Sequence, residues 1–270
     1  MTFPIRSVVE QRSAVEPGEG DEVSTQFVPP TQDLTLLPGQ VHVWRASLAR
    51  HRSHLAELQL LLSAAERARA DRFHFAADRD RFTAAHGLLR TLLARYLPES
   101  PAQILFAQSS FGKPALELSA GDEDLRFNLS HSQGLVLYAV ARGREVGVDV
   151  EQIRTMPDCE QIAEQFFSPS ERLEWASLSE ECRLTGFFGI WTLKEAYVKA
   201  RGLGLSVPLA DFSVSLQPDA AGNCLTSPEA GLESAGWFLR RLMPGSGYAG
   251  AVAVEGRDGE LACWELLVGA

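Results

Sequence analysis

Apolar positions are sparse and aperiodic over residues 1–40, where Pro, Glu, Ser, Thr and Gln dominate and Pro29 precedes Pro30. Such a stretch reads as a largely irregular extension, because it buries too little apolar surface to offset chain entropy. The pattern changes at Val41. Val41 and Val43, with Leu48 beyond them, suggest a strand and its loop, and Leu55, Leu58, Leu61 and Leu62 follow at helical spacing. Ser63-Ala-Ala-Glu66 matches a capping box, in which the two side chains satisfy orphan N–H groups and start a new helix. Farther on, Phe127-Asn-Leu129 reads as a short strand, Leu135 to Ala141 as a continuous apolar run, Arg142-Gly-Arg144 as a turn and Val146 to Glu151 as an alternating strand. Together they predict a hairpin. Phe187 to Arg201 is apolar nearly all the way round, which predicts a helix buried on most sides. Gly202 and Gly204 end it, Pro208 prevents its resumption, and Phe212 to Leu216, Gly236 to Leu242 and Tyr248 to Val254 read as further strands.

Two of these signals occur twice in the same order. Ser63-Ala-Ala-Glu66-Arg67 is matched 105 residues later by Ser168-Pro-Ser-Glu171-Arg172. Arg81-Phe-Thr83-x-x-x-Gly87-Leu88 is matched at an offset of 102 by Arg183-Leu-Thr185-x-x-x-Gly189-Ile190. A duplicated unit follows. The expected class is therefore α+β: two similar halves facing each other, residues 41–145 and 146–270, each with a small, mostly antiparallel sheet and a long packed helix.

Composition narrows the function. The chain has 270 residues and a formal net charge of −10, and 45% of its residues are hydrophobic, an ordinary globular balance. Acidity argues against general nucleic-acid binding, which neutralises phosphates with Lys and Arg. No apolar run approaches the ~18 residues that a membrane helix needs, and the amino end lacks a signal-peptide core, so a cytoplasmic protein without membrane contact is expected. Cys159, Cys182, Cys224 and Cys263 are scattered without a C-x-x-C pair, which disfavours a disulfide framework or a zinc site.

Candidate chemistry lies in Val146-Gly-Val148-Asp149-Val150-Glu151, where strand alternation sets the valines on one face and Gly147, Asp149 and Glu151 on the other. Alone, a D-x-E is more often a solvated face. The functional alternative is a magnesium site, since this hard ion takes one or two carboxylates and completes its shell with water and phosphate oxygens. Glu195 and Lys199 could be an exposed i,i+4 pair. In so apolar a helix, however, a carboxylate calls for a positive partner, and a metal held by Asp149 and Glu151 would be one. Arg67, Arg69, Arg72, Arg79 and Arg81 are dense, and Lys113, Lys194 and Lys199 add cations suited either to solvated faces or to a polyanionic ligand. His131 alone is more often structural. Walker, G-x-S-x-G and H-E-x-x-H patterns are missing.

Taken in order, Phe111-Gly-Lys113-Pro114, Phe127-Asn-Leu-Ser130-His131-Ser132, Val146-Gly-Val-Asp149-Val-Glu151 and Trp191-Thr-Leu-Lys194-Glu195-Ala-x-x-Lys199-x-x-Gly202-x-Gly204 resemble the signature of the surfactin-type (Sfp-like) 4′-phosphopantetheinyl transferases, from about Val41 to the carboxyl terminus. The resemblance implies a monomeric pseudo-dimer with its ligand cleft between the halves. It also implies Mg²⁺-dependent transfer of 4′-phosphopantetheine from coenzyme A to a serine of an apo acyl or peptidyl carrier protein, releasing adenosine 3′,5′-bisphosphate. Asp149, Glu151 and Glu195 would hold the metal, with Glu195 a ligand or the base. Lys199, Lys194 and His131 would neutralise phosphate charge. Lys113, Pro114, Ser130 and His131 would line the coenzyme A site, and its 3′-phosphate would fall to Arg79 and Arg81, with Arg69 as helper. Relatives often carry Arg where this chain has His86, so phosphate binding there should be weaker or pH-sensitive. Two alternatives share these residues: another Mg²⁺-dependent nucleotide pyrophosphatase, and a non-catalytic coenzyme A-binding subunit.

Overall fold

The computed structural model describes residues 26–30, 34–109, 111–117, 124–204, 207–227 and 236–267. Its order of elements is the same twice over. In the first half, strand β1 (Gln40–Ser47) leads to helices α1 (Leu55–Leu61), α2 (Ala64–Ala70) and α3 (Ala76–Leu93). The short paired strands β2 (Phe106–Gln108) and β3 (Pro114–Leu116) follow, and then the hairpin of β4 (Leu125–Ser132) and β5 (Leu135–Arg142). In the second half, β6 (Val146–Gln152) leads to α4 (Cys159–Phe166), α5 (Pro169–Ser177) and α6 (Glu180–Arg201). Paired β7 (Ser213–Val214) and β8 (Leu225–Ser227) come next, then antiparallel β9 (Trp237–Leu242) and β10 (Tyr248–Glu255). The sheets repeat as well, in the orders β1-β5-β4 and β6-β10-β9, with every pairing antiparallel. The α+β class and the two similar halves are thus both present. One strand breaks the likeness: β11 (Glu260–Glu265) adds in parallel to β1, and Val28 bridges to Trp264 beyond it. Residues 1–25 and 31–33 of the expected irregular extension lie outside the described residues.

Alternation along the strands explains the layering. Val41, Val43, Leu137 and Ala139 of the first sheet pack against Val146, Val148, Val150 and Val252 of the second. The opposite faces carry the long helices. Trp44, Ala46 and Tyr138 meet Leu88, Leu89 and Leu92 of α3, while Leu239, Ala251 and Ala253 meet Ile190, Leu193 and Tyr197 of α6. The result is a helix–sheet–sheet–helix sandwich in which each strand has one face per layer.

The hairpin expected across residues 142–144 is a correction. Gly143 does turn the chain, at φ 64°. Yet β5 pairs with β1 and β4, and β6 with β10, so this turn hands the chain from one half to the other. Turn chemistry and apolar alternation are the same for both outcomes; only the choice of partner strand differs.

Both capping boxes form, and each glutamate does more than cap. The Ser63 backbone N–H donates to Glu66 Oε2 at 2.8 Å, and Glu66 also meets Arg90 of α3 at 2.7 Å. The Ser168 N–H donates to Glu171 Oε2 at 2.7 Å, and Glu171 meets Lys194 of α6 at 2.7 Å, with both side chains 0% exposed. Lys194 Nζ also donates to the carbonyls of Leu209 (2.6 Å) and Phe212 (2.9 Å). An ammonium has three donors, and all three are used. The expectation that Lys194 neutralises substrate phosphate is therefore corrected: it fastens α5 and the chain at residues 209–212 to α6. The pairs sit at Arg90 and Lys194, an offset of 104, whereas the glycines of the 102-residue echo have unlike neighbours, Leu58 for Gly87 and Leu216 for Gly189.

Candidate active site

Gly147 decides how closely α6 approaches β6. A Cβ there would lie 2.2 Å from the Ala196 carbonyl oxygen and 2.3 Å from the Ala200 nitrogen, so only a bare α-carbon lets the helix lie on the strand. The close approach brings Glu195 and Lys199, one turn apart on α6, beside Asp149 and Glu151. Lys199 Nζ is 2.5 Å from Asp149 Oδ1, and the Asp149 side chain is 2% exposed.

The other wall is β4, from the first half. Asn128 Oδ1 accepts the Val148 N–H at 2.9 Å. Ser130 Oγ donates to Asp149 Oδ1 at 2.8 Å and accepts from Lys199 Nζ at 3.0 Å. Ser132 Oγ donates to Glu151 Oε2 at 2.7 Å and accepts the Gln152 N–H at 3.1 Å.

Electrostatically the niche is short of positive charge. Burial, with the neighbouring Asp149 charge, pushes the Glu151 carboxyl above its usual range against the opposing Ser132 hydrogen bond. Burial and the charges of Asp149 and Glu151 push Glu195 up likewise, opposed by Lys199. Asp149 Oδ2 is buried and has no hydrogen-bond partner. Among the described residues no three acidic, His or Cys side chains converge as a ready-made metal site. An oxygen-only set with one orphaned buried oxygen nevertheless fits Mg²⁺, which takes one or two carboxylates and draws the rest of its shell from water and phosphate.

Cations gather at the end of β4. Burial pushes the His131 ring below its usual value, and the charges of His86, Lys199, Arg81 and Arg69 push it down further. His86 Nδ1 is 3.1 Å from Glu66 Oε1, and its ring stacks on Phe82 at 4.0 Å, while Arg69 lies over the same Phe82 ring at 5.2 Å. Arg81 pairs with Asp78 at 2.8 Å and reaches Gln133 Oε1 at 3.5 Å in the β4–β5 turn, where Gln133 holds φ 52°. A cavity of about 310 Å³ opens beside Glu195 and Lys199, walled by Phe111, Pro114, Val198 and Val207.

Residues 145–252 match the 4′-phosphopantetheinyl transferase superfamily, and residues 43–142 match the family 4′-phosphopantetheinyl transferase, N-terminal. Over 85% of its length the chain is 41% identical to the 4′-phosphopantetheinyl transferase HetI of Nostoc sp. (strain PCC 7120 / SAG 25.82 / UTEX 2576), covering 94% of that protein. The chain belongs to the 4′-phosphopantetheinyl transferase superfamily. Its similarity to the 4′-phosphopantetheinyl transferase Sfp of Bacillus subtilis (strain 168) is 31% identity over 58% of this chain and 68% of that one. A solved ACPS–CoA complex from Chronobacterium ammoniagenes matches 42% of this chain and 96% of its own, at 24% identity and a TM-score of 0.34.

In this transferase the fold brings together most of the expected site: Asp149, Glu151, Glu195, Lys199, Ser130, His131, His86, Arg69 and Arg81. Arg79 stands apart from that group, half-exposed and 3.8 Å from Asp80. Lys113 lines the cavity with its stem, as does Pro114, but its ammonium is spent on Glu145 (2.7 Å) and the carbonyls of Val146 (3.1 Å) and Ala200 (2.8 Å). Three contributors were missed from sequence: Asn128 and Ser132, which brace β6, and Glu66, which holds His86. The period-two series Asn128, Ser130, Ser132 was the available signal for the first two.

Proposed function

We infer that this transferase moves the 4′-phosphopantetheine of coenzyme A onto a serine hydroxyl of an apo acyl or peptidyl carrier protein and releases adenosine 3′,5′-bisphosphate. The observation that carries the site assignment is the buried, unpartnered Oδ2 of Asp149 among carboxylates held above their usual range. Asp149, Glu151 and Glu195 would hold Mg²⁺, which when bound supplies positive charge along the diphosphate. Glu195 also borders the cavity, where it can accept the serine proton directly or through water. The serine oxygen forms its bond to the phosphorus bearing pantetheine as the bond from that phosphorus to the bridging oxygen breaks, and the negative charge leaves on the nucleotide.

Lys199, its side chain 30% exposed, is free on one side to meet that growing charge. Arg69, Arg81, His86 and His131 form the cationic end suited to the 3′-phosphate, and the cavity beside Lys113 and Pro114 takes another part of the donor. Both halves belong to one chain, so a monomer suffices, acting in the cytoplasm. Incubation with coenzyme A, Mg²⁺ and an apo carrier should add one phosphopantetheine to the carrier, read by mass spectrometry. Cleavage of coenzyme A with the carrier unmodified would favour the pyrophosphatase reading instead. Near-normal transfer by Asp149→Ala at low Mg²⁺ would remove the metal assignment.

A further inference from the structure

We propose that Ser132 is a positioning residue of the transfer reaction, through which the first half of the molecule aims a carboxylate that belongs to the second. The proposal rests on the reading that Asp149 and Glu151 hold a divalent ion. Strands β4 and β6 lie side by side, yet each is laddered only within its own sheet. Side chains of alternate β4 residues bridge the seam instead: Asn128 to the Val148 N–H, Ser130 to Asp149 and Ser132 to Glu151. These contacts hold two halves in register without a backbone ladder.

Ser132 differs from Ser130 in what depends on it. Asp149 is buried and also held by Lys199. Glu151 is longer and only partly buried, and among the described residues Ser132 is the one side chain that hydrogen-bonds it. The direction of that bond is fixed. An ionised carboxylate can only accept, so the single Ser132 hydroxyl proton goes to Glu151 Oε2, while the Gln152 N–H occupies a lone pair of the same oxygen. A neutral donor orients the carboxylate without neutralising it and leaves Oε1 available to an ion. The alternative orientation is at hand: Glu151 also borders a cavity of about 180 Å³ that it shares with Arg154 and Trp191, toward which an unheld side chain could turn. Holding a rotamer-rich acid in place removes an ordering cost that metal binding would otherwise bear.

The test is Mn²⁺ binding followed by electron paramagnetic resonance with coenzyme A present and no carrier, paired with the Mg²⁺ activation curve for transfer. Ser132→Ala should bind Mn²⁺ on the order of tenfold more weakly and need about as much more Mg²⁺ for half-maximal transfer, regaining most of its rate at saturation. Ser132→Thr, which keeps the hydroxyl, should restore both. Thermal melting of each variant separates lost fold from lost aim. If Ser132→Ala melts early, Ser132→Thr with weakened Mn²⁺ binding at a normal melting point overturns the proposal. Unchanged Mn²⁺ affinity in a folded Ser132→Ala, or a rate loss that saturating Mg²⁺ does not repair, also overturns it. Asp149→Ala and Glu151→Ala serve as references: if they too keep full Mn²⁺ affinity, the metal-site reading itself fails, whereas if only Ser132→Ala keeps it, the positioning role alone is lost.

Discussion

The two halves share a skeleton, but the acids proposed to hold the metal, Asp149, Glu151 and Glu195, all lie in the second. Aligning the equivalent pairings of β1 with β5 and β6 with β10 sets His42 against Gly147, Trp44 against Asp149 and Ala46 against Glu151. Where the second half has a bare α-carbon and two carboxylates, the first has an imidazole, an indole and a methyl. Trp44 is fully buried, its Nε1–H donating to the Tyr96 hydroxyl at 2.8 Å, and that hydroxyl lies 2.8 Å from His42 Nδ1, whose ring burial holds down to about 4. The free edges differ too. β1 is covered by β11, whereas β6 is left beside β4 and its serines. A duplicated fold offers two equivalent clefts. The proposed site occupies the one in which a glycine lets the helix down and the opposite half supplies polar side chains, and the other is filled as core.

Breaking the comparison at Asp149 should have the largest effect. Asp149→Ala should lower transfer well over a hundredfold, since even indirect supports of a metal cost ~10–100-fold, while thermal melting stays near that of the parent. Its counterpart substitution should do the reverse. Trp44→Ala should cost about 3–5 kcal/mol of stability in denaturant titration with coenzyme A affinity retained. Equal damage to transfer from both would erase the distinction between site and filled cleft.

The buried pairs give a similar contrast at the same scale. Lys194→Met leaves the buried Glu171 carboxylate without its cation, at a cost of about 3–5 kcal/mol in the same titration. Gly147→Ala should cost roughly 1–3 kcal/mol from overpacking and should lower transfer as well, because α6 must lift from β6. A well-folded, fully active Gly147→Ala would refute the close-approach argument.

The smallest effect concerns acid. Burial would raise the Glu66 carboxyl, but hydrogen bonds from His86, Arg90 and the Ser63 backbone, with the Arg90 charge, bring it down to about 2. A carboxylate depressed in the folded state contributes stability that is complete above its unfolded value near 4.5 and is lost as pH falls toward 2. Glu171 moves the other way, raised by burial that outweighs its hydrogen bonds and Lys194, so the cost of its charge is relieved as pH falls. Melting scans from neutral pH down to acid should show Glu66→Gln losing less stability than the parent below about 4.5. Identical slopes would contradict the assignment.

Local signals proved legible where local physics decides. Both capping boxes, the Val146–Glu151 alternation and the glycine-stopped helix α6 depend on neighbours within a few residues, and each formed. The carboxylates were legible for the same reason, since a strand's period of two sets Asp149 and Glu151 on one face wherever the strand lies. Arg79 and Arg81 are two residues apart on a helix, and spacing alone could not tell which would turn toward His131. Lys194 and Lys199 looked interchangeable as cations, yet one meets Glu171 in the core and the other Asp149 in the cleft.

The amino-acid order by itself determined the elements, the repeat and the residue types able to handle a diphosphate, because helix caps, turns and alternation are short-range properties of the chain. Tertiary structure alone decided that β5 and β6 part company, that one cleft is filled while its twin stays open, and that serines of one half grip the acids of the other. Those outcomes depend on which surfaces meet between segments far beyond one helix turn or strand pair, 19 residues apart for the serines and acids and roughly a hundred for the strand partners, a choice made by packing and charge pairing in three dimensions.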